Sequence, residues 1–166
     1  MIDDAEANTR LDEVRRLVLC SGKIYVDLVT SEYREKTTSV AICRIEQLYP
    51  FRIDEVRQVI ERYSKLQEVV WVQEEPENMG AWEYVRPILS ELVRNKWRLR
   101  YIGRSRSSSP AEGSAARHAV NQEAIVQKAF SIRLAEQEED MVLVENIAEG
   151  AGRRERADQN RRPRTG

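Results

Sequence analysis

EVVWV, residues 68–72, followed by QEEPENMG (73–80) and AWEYVRP (81–87), holds the pattern that decides the fold. Four of those first five residues are apolar, three of them valines beside one tryptophan, and polar residues bound the run on both sides. A strand with one wet face alternates apolar and polar positions, whereas a run of this kind is a strand covered on both faces. Proline and glycine in EEPENMG (74–80) turn the chain into a loop after Gln73 ends the strand. Beyond Gly80, Trp82, Val85, Leu89 and Leu92 recur at steps of three and four, which is one face of a helix. A doubly covered strand followed by an amphipathic helix is half of a βαβ unit, so parallel neighbours are expected.

The same unit recurs toward the amino end. Residues 14–20 (VRRLVLC) form a short apolar run stopped by Ser21-Gly22, and residues 23–36 space Ile24 and Leu28, Tyr25 and Val29, at helical intervals. Residues 40–45 (VAICRI) are a second strand, after which Ile53, Val56, Ile60 and Tyr63 mark a second helix. Toward the carboxyl end, residues 97–102 (WRLRYI) alternate as an edge strand does, and about 116–130 is helical again. The expected fold is α/β in three layers, a mostly parallel sheet of four to five strands with helices on both faces. Residues 1–13 are read as a linker, 14–131 as the domain, and 132–166 as an acidic stretch followed by an Arg-rich one, with the composition of a disordered tail.

Composition narrows the function classes. With 27 basic and 28 acidic residues, the net charge of −1 gives no field favouring nucleic acid, and no apolar run has the roughly 18 residues needed to span a bilayer. The acidic start MIDDAEAN is unlike a signal or transit peptide, and a cytoplasmic location is expected. The six arginines of residues 151–166 leave a nucleic-acid-binding tail as a third reading. Cys20 and Cys43 lie in apolar runs, outside any CxxC pair, and read as buried thiols rather than metal ligands.

Few residues carry a chemical signal. His118 is the only histidine and reads as a cap or surface group, and no nucleophile and base pair can be argued. Glu74 and Glu75 read as loop carboxylates meeting arginines; Trp71, Trp82 and Trp97 read as core. Ser21-Gly22-Lys23 stands out, because a strand-to-helix turn with glycine, free amides and a lysine outlines an anion site. A plain strand-helix turn explains the same residues. Gln73, Arg104 and Arg106 fall at the same end of the expected sheet. The Ser-, Gly- and Pro-rich run 103–117 (GRSRSSSPAEGSAAR) is a long loop there, either functional or a connector.

The strings RRLVLCSGKIYVDL (15–28), VAICRIEQLYPF (40–51), EVVWVQEEPENMGAWEYVRP (68–87) and LRYIGRSRSSSP (99–110), in this order and spacing, closely resemble the last domain of 2-oxoglutarate dehydrogenase, and the likeness runs on through AVNQEAIVQKAF (119–130). Met79 departs from the family's usual NQGAW. The resemblance implies a transketolase-like carboxy-terminal module that serves assembly, a homodimer interface and regulation, as a detached or split domain without activity of its own. It further implies thiamine diphosphate and magnesium in the complete enzyme, held by thiamine-binding domains that become this chain's partners; no cofactor or metal is expected here, since no GDG-type metal motif is present. Some relatives carry an allosteric site for a nucleotide or acetyl-coenzyme A in this region, which makes Ser21, Gly22, Lys23, Gln73, Arg104 and Arg106 the candidate ligand residues. A stand-alone module sensing such a ligand is the alternative function.

Overall fold

The computed structural model describes residues 1–132, and Met1–Ser131 form one compact unit. The expected tail lies, apart from its first residue, outside the described residues. Four strands form an all-parallel sheet: β1 (Arg16–Cys20), β2 (Val40–Arg44), β3 (Glu68–Pro76) and β4 (Arg98–Arg104), in the order β2-β1-β3-β4. Between them run α1 (Ile24–Val29), α2 (Glu32–Lys36), α3 (Ile53–Arg62) and α4 (Trp82–Val93), and α5 (Ala115–Phe130) follows the last strand.

Strand order explains the layering. The chain moves outward from β1 to β2, then jumps back across β1 to β3 and on to β4. Crossovers of one hand put the connecting helices on opposite faces when the direction reverses. Accordingly α3 and α4 share one core with Leu17, Leu19, Cys43 and Trp71 of the sheet. Residues of the alternate register, among them Val18, Ile42 and Val70, are equally buried and face the layer of α1 and α5. The three tryptophans behave as core residues, Trp71 fully buried, Trp82 nearly so and Trp97 packed on its margin. Both cysteines are buried and free, and burial pushes the Cys20 thiol up to about 12.

Two expectations change on contact with the structure. The helix expected over 23–36 is two short helices, because Thr30 and Ser31 return their hydroxyls to the carbonyls of Val26 (2.8 Å) and Leu28 (2.9 Å), and Ser31 then adopts extended backbone. Residues 1–13, expected as a linker, are fastened to the sheet. Ile2 makes an antiparallel bridge to Arg44, and the buried Asp4 accepts from Ile42 N (2.8 Å) and Ala7 N (2.9 Å) while pairing with Arg34 (2.7 Å). These contacts cover the outer edge of β2. Hydrophobic periodicity could not reveal them, since the bonds are polar and nonperiodic.

The deepest polar contact joins three elements. Arg16, the first residue of β1, is fully buried and donates from Nε to Glu68 of β3 (2.8 Å) and from Nη1 to the carbonyls of Lys128 (2.8 Å) and Ala129 (2.9 Å), the last turn of α5. A guanidinium is the cation suited to a carboxylate and two carbonyls at once. Removing Arg16 leaves the buried Glu68 to the longer contact with Arg100 (3.5 Å) and takes the donor from the α5 carbonyls, whereas replacing Arg16 and Glu68 together is milder because no buried charge of the pair remains. Arg16→Ala is therefore expected to lower unfolding free energy by about 3 to 5 kcal/mol, and Arg16→Met with Glu68→Leu by much less, read from urea denaturation; equal losses would contradict the pairing.

Candidate functional site

The switch point of the sheet, where strand order reverses, lies beyond the carboxyl ends of β1 and β3, the ordinary place for a ligand in an open α/β sheet. Ser21, Gly22 and Lys23 follow β1 there. Gly22 has φ 74°, which a side chain would strain, and space above its Cα is open. Lys23 is not presented to solvent alone. Its ammonium meets Asp27 Oδ2 (2.5 Å) and Glu74 Oε1 (3.8 Å), and Gln122 of α5 donates to the same two carboxylates at 2.7 and 2.9 Å. Asp27 holds the Lys23 amine above its ordinary pKa. With one cation against two carboxylates, this cluster fastens the β1 turn to β3 and α5, and α1 behind it is only six residues long.

Gln73 is buried and fully engaged. Its Oε1 accepts from Trp71 Nε1 (2.9 Å) and Trp82 N (3.0 Å), while Nε2 donates to the carbonyls of Met79 (2.7 Å) and Pro76 (3.2 Å). The strand expected to end at Gln73 runs on to Pro76, and this one amide shapes the turn from there to Gly80 and holds the start of α4. Gly80 has φ 65°, and a Cβ there would sit 2.9 Å from Gln73 Nε2. The departure at Met79 is accommodated because its carbonyl, common to every residue type, makes the contact. Gln73→Met keeps the volume and strands these groups; at about 1 to 3 kcal/mol for each buried group left unpaired, a loss of at least 2 kcal/mol is expected on that scale, measured by denaturation.

Arg104 and Arg106 meet the long loop. Arg104 donates to the carbonyls of Glu74 (2.8 Å) and Pro110 and lies 3.5 Å from Glu112. Glu112 also accepts from Asn121 Nδ2 and meets His118 Nδ1 (3.1 Å), so His118 is a surface residue of the first turns of α5, tied to the loop. Asn78 exchanges two hydrogen bonds of 2.9 Å with the backbone of Ser107. Arg106 is exposed, 3.5 Å from Glu83. Between these residues opens a polar cleft of about 380 Å³, lined by Arg104, Arg106, Ser107, Glu112, Arg117 and Asn121. A neighbouring cleft of about 580 Å³ lies between Glu74, Glu75, Arg104, Glu112 and His118. Arg104 and Arg106 are therefore brought together, whereas Ser21, Gly22, Lys23 and Gln73 line neither of these two clefts. Arg117, Glu112 and Asn121 were not singled out from sequence; their signals were the long loop 103–117, which holds Glu112 and Arg117, and the spacing of 117 and 121 on one helical face.

The Glu112 carboxyl is held below its ordinary 4.5, first by Asn121 and then by His118 and Arg104. A folded-state pKa below the unfolded one gives stabilisation that is present above the ordinary value and lost as pH falls through the folded one. Amide exchange, corrected for its intrinsic pH dependence, is accordingly expected to show residues 105–114 losing protection as pH falls below 4.5, and Glu112→Gln to remove that dependence.

Residues 1–130 match the family described as 2-oxoglutarate dehydrogenase C-terminal. The 2-oxoglutarate dehydrogenase E1 component of an Exiguobacterium species is 46% identical over 122 residues, which is 72% of this chain and 13% of that protein. The protein of the same description from Bacillus cereus is 41% identical over 136 residues, 80% of this chain and 14% of that protein. The chain thus spans about one seventh of the length of the relatives it matches. With residues 1–130 matched by the family, the chain belongs to the 2-oxoglutarate dehydrogenase C-terminal family.

Proposed function

We propose that this chain serves as the carboxy-terminal module of 2-oxoglutarate dehydrogenase, supporting assembly and a homodimeric enzyme in the cytoplasm, while oxidative decarboxylation proceeds in the preceding domains. The family match across the whole described unit carries this reading. Thiamine diphosphate with magnesium belongs to those other domains. Residues at the switch point do not fit a magnesium diphosphate, since Asp27 and Glu74 are taken by Lys23 and Gln122. Among the described residues no three His, Cys, Asp or Glu side chains converge on a metal site. No step of the thiamine chemistry is assigned to this chain. Its residues hold one another, in an arrangement suited to bearing load between domains. Among the described residues no helix is long and apolar enough to cross a membrane.

The test replaces the last seventh of the Bacillus cereus relative with this chain. The chimera is expected to retain decarboxylation of 2-oxoglutarate and to purify as a dimer, and the isolated chain to show neither thiamine diphosphate binding nor turnover. Turnover by the isolated chain, or an inactive chimera, would defeat the reading.

Regulation by a phosphate-bearing ligand is the second part of the proposal, and the polar cleft favours it. Arg104, Arg106 and Arg117 converge there with Ser107, whereas Lys23 is already neutralised by two carboxylates. The ligand's phosphate accordingly belongs with the arginines. Calorimetric titration of the chimera with AMP and with acetyl-coenzyme A is expected to show binding weakened about tenfold or more by Arg106→Ala with Arg117→Ala, as charge-assisted hydrogen bonds to phosphate require. Lys23→Ala should change affinity by less than about threefold, because its charge is locally cancelled. The opposite ranking would return the site to the Ser21-Gly22-Lys23 turn, and absence of binding would remove the regulatory part alone.

A further inference from the structure

Residues 105–111, in the loop that joins β4 to α5, are all exposed, and four of them are serines: Ser105, Ser107, Ser108 and Ser109. Ser105 and Ser107, but neither Ser108 nor Ser109, line the polar cleft that also holds Arg104, Arg106 and Arg117. Asn78 grips the Ser107 backbone twice, accepting from its amide and donating to its carbonyl at 2.9 Å, so the residue is held at the cleft wall. The Ser107 hydroxyl is more loosely engaged, since its Oγ accepts from Ser109 N at 3.2 Å on the exposed surface. Ser109 turns its own hydroxyl inward on the loop, donating to the Ala111 carbonyl and accepting from the Ala111 amide, both at 3.3 Å. Charge around Ser107 follows a readable pattern. Arg106 stands one residue before it, and Arg104, the last residue of β4, three before. Serine kinases choose substrates by flanking charges of this kind. Exposed hydrogen bonds tie the loop down, so opening it into an enzyme's groove demands little free energy.

We propose that Ser107 is a phosphoacceptor for an arginine-directed serine kinase, and that the phosphate it receives lies in the cleft against Arg104, Arg106 and Arg117. In the transfer, Ser107 Oγ forms a bond to the γ-phosphorus of a nucleoside triphosphate as the bond to the bridging oxygen breaks. The hydroxyl proton passes to the kinase's base, and the nucleoside diphosphate leaves with the electron pair of the broken bond. A phosphoserine carries about −1.5 to −2 charges and three strong acceptor oxygens, and opposite an arginine cluster it orders the loop that bears it. Donors for those oxygens are at hand. Arg106 pairs with Glu83 at 3.5 Å with both side chains exposed, a contact of the kind that contributes little. Arg117 is exposed in the first turn of α5. Arg104 is already committed to the carbonyls of Glu74 and Pro110, so it adds positive field more than hydrogen bonds. Glu112 is the carboxylate of the cleft, and Asn121, His118 and Arg104 already answer it. The site needs no free ligand, although a phosphate on Ser107 fills the place given above to the phosphate of a regulatory one.

The test incubates the full chain with an arginine-directed serine kinase and magnesium ATP, and locates the phosphoryl group by fragment mass spectrometry. It is expected on Ser107, and Ser107→Ala is expected to lose it without transfer to Ser105, Ser108 or Ser109. Phosphorus NMR then follows the second ionisation of that phosphate, which ordinarily falls at about pH 6. In the folded chain it is expected about half a pH unit or more below its position in the phosphorylated peptide of residues 100–112, because nearby cations favour the dianion. Arg117→Ala, outside the sequence that the kinase reads, should leave the labelling unchanged and bring the titration part of the way back to that of the peptide. Labelling on another serine, or on none, overturns the site. A phosphate on Ser107 that titrates as it does in the peptide overturns its seat among the arginines. Neither readout uses an effector, so both hold or fail apart from the titrations with AMP and acetyl-coenzyme A.

Discussion

The ion pair between Arg16 and Glu68 is the constraint on which the rest of the domain depends. Both central strands begin with these residues, and the register places Arg16 directly beside Glu68, so the pair pins β1 to β3 at their amino ends, opposite the switch point. The same guanidinium gathers the carbonyls that end α5. Carbonyls at a helix end have no partners within the helix, and in a buried setting they need a donor. One side chain therefore sets sheet register, closes the final helix and fixes which face that helix covers. Desolvation of the charges offsets much of their attraction, so the pair is better understood as specifying one arrangement than as adding net stability.

Much of this architecture was legible in the sequence. EVVWV announced a strand covered on both faces, and β3 is one of the two inner strands, with neighbours on both sides and helices above and below. WRLRYI announced an edge, and β4 is one. Apolar periodicity reports burial, and burial follows layers, so the layers could be read. Arg16 could not. A basic residue beside an apolar run reads as the solvated end of a strand, and nothing local says that a glutamate fifty residues later will stand next to it. Asp4 escaped for a related reason: besides the nearby Ala7 amide, its partners are the Ile42 amide and the Arg34 side chain, far away in sequence.

The candidate site shows the same division. The singled-out residues all follow or end strands at the carboxyl end of the sheet, because topology brings strand ends together. Their electrostatics depended on neighbours from other elements. Lys23 reads as a positive charge at a helix start, yet Asp27 is its own helical neighbour, Glu74 comes from β3, and Gln122 from α5 ties the two carboxylates. Gln73 reads as a polar group available at a strand end, while its amide is enclosed by a tryptophan indole and three backbone groups. Whether a polar residue faces a ligand or its own chain is decided by packing across the fold.

The covering of β2 by residues 1–13 gives the sheet two unlike margins. On one side Ile2 and Asp4 already occupy backbone groups of the outer strand. On the other, β4 keeps an edge with no paired strand among the described residues, where Arg98 is exposed and Arg100 lies 3.5 Å from Glu68. Charges on an exposed edge discourage indiscriminate pairing with other chains. Growth of this sheet by strand addition is consequently one-directional: a sealed margin refuses a newcomer outright, and the guarded one admits only a strand whose own side chains answer arginine.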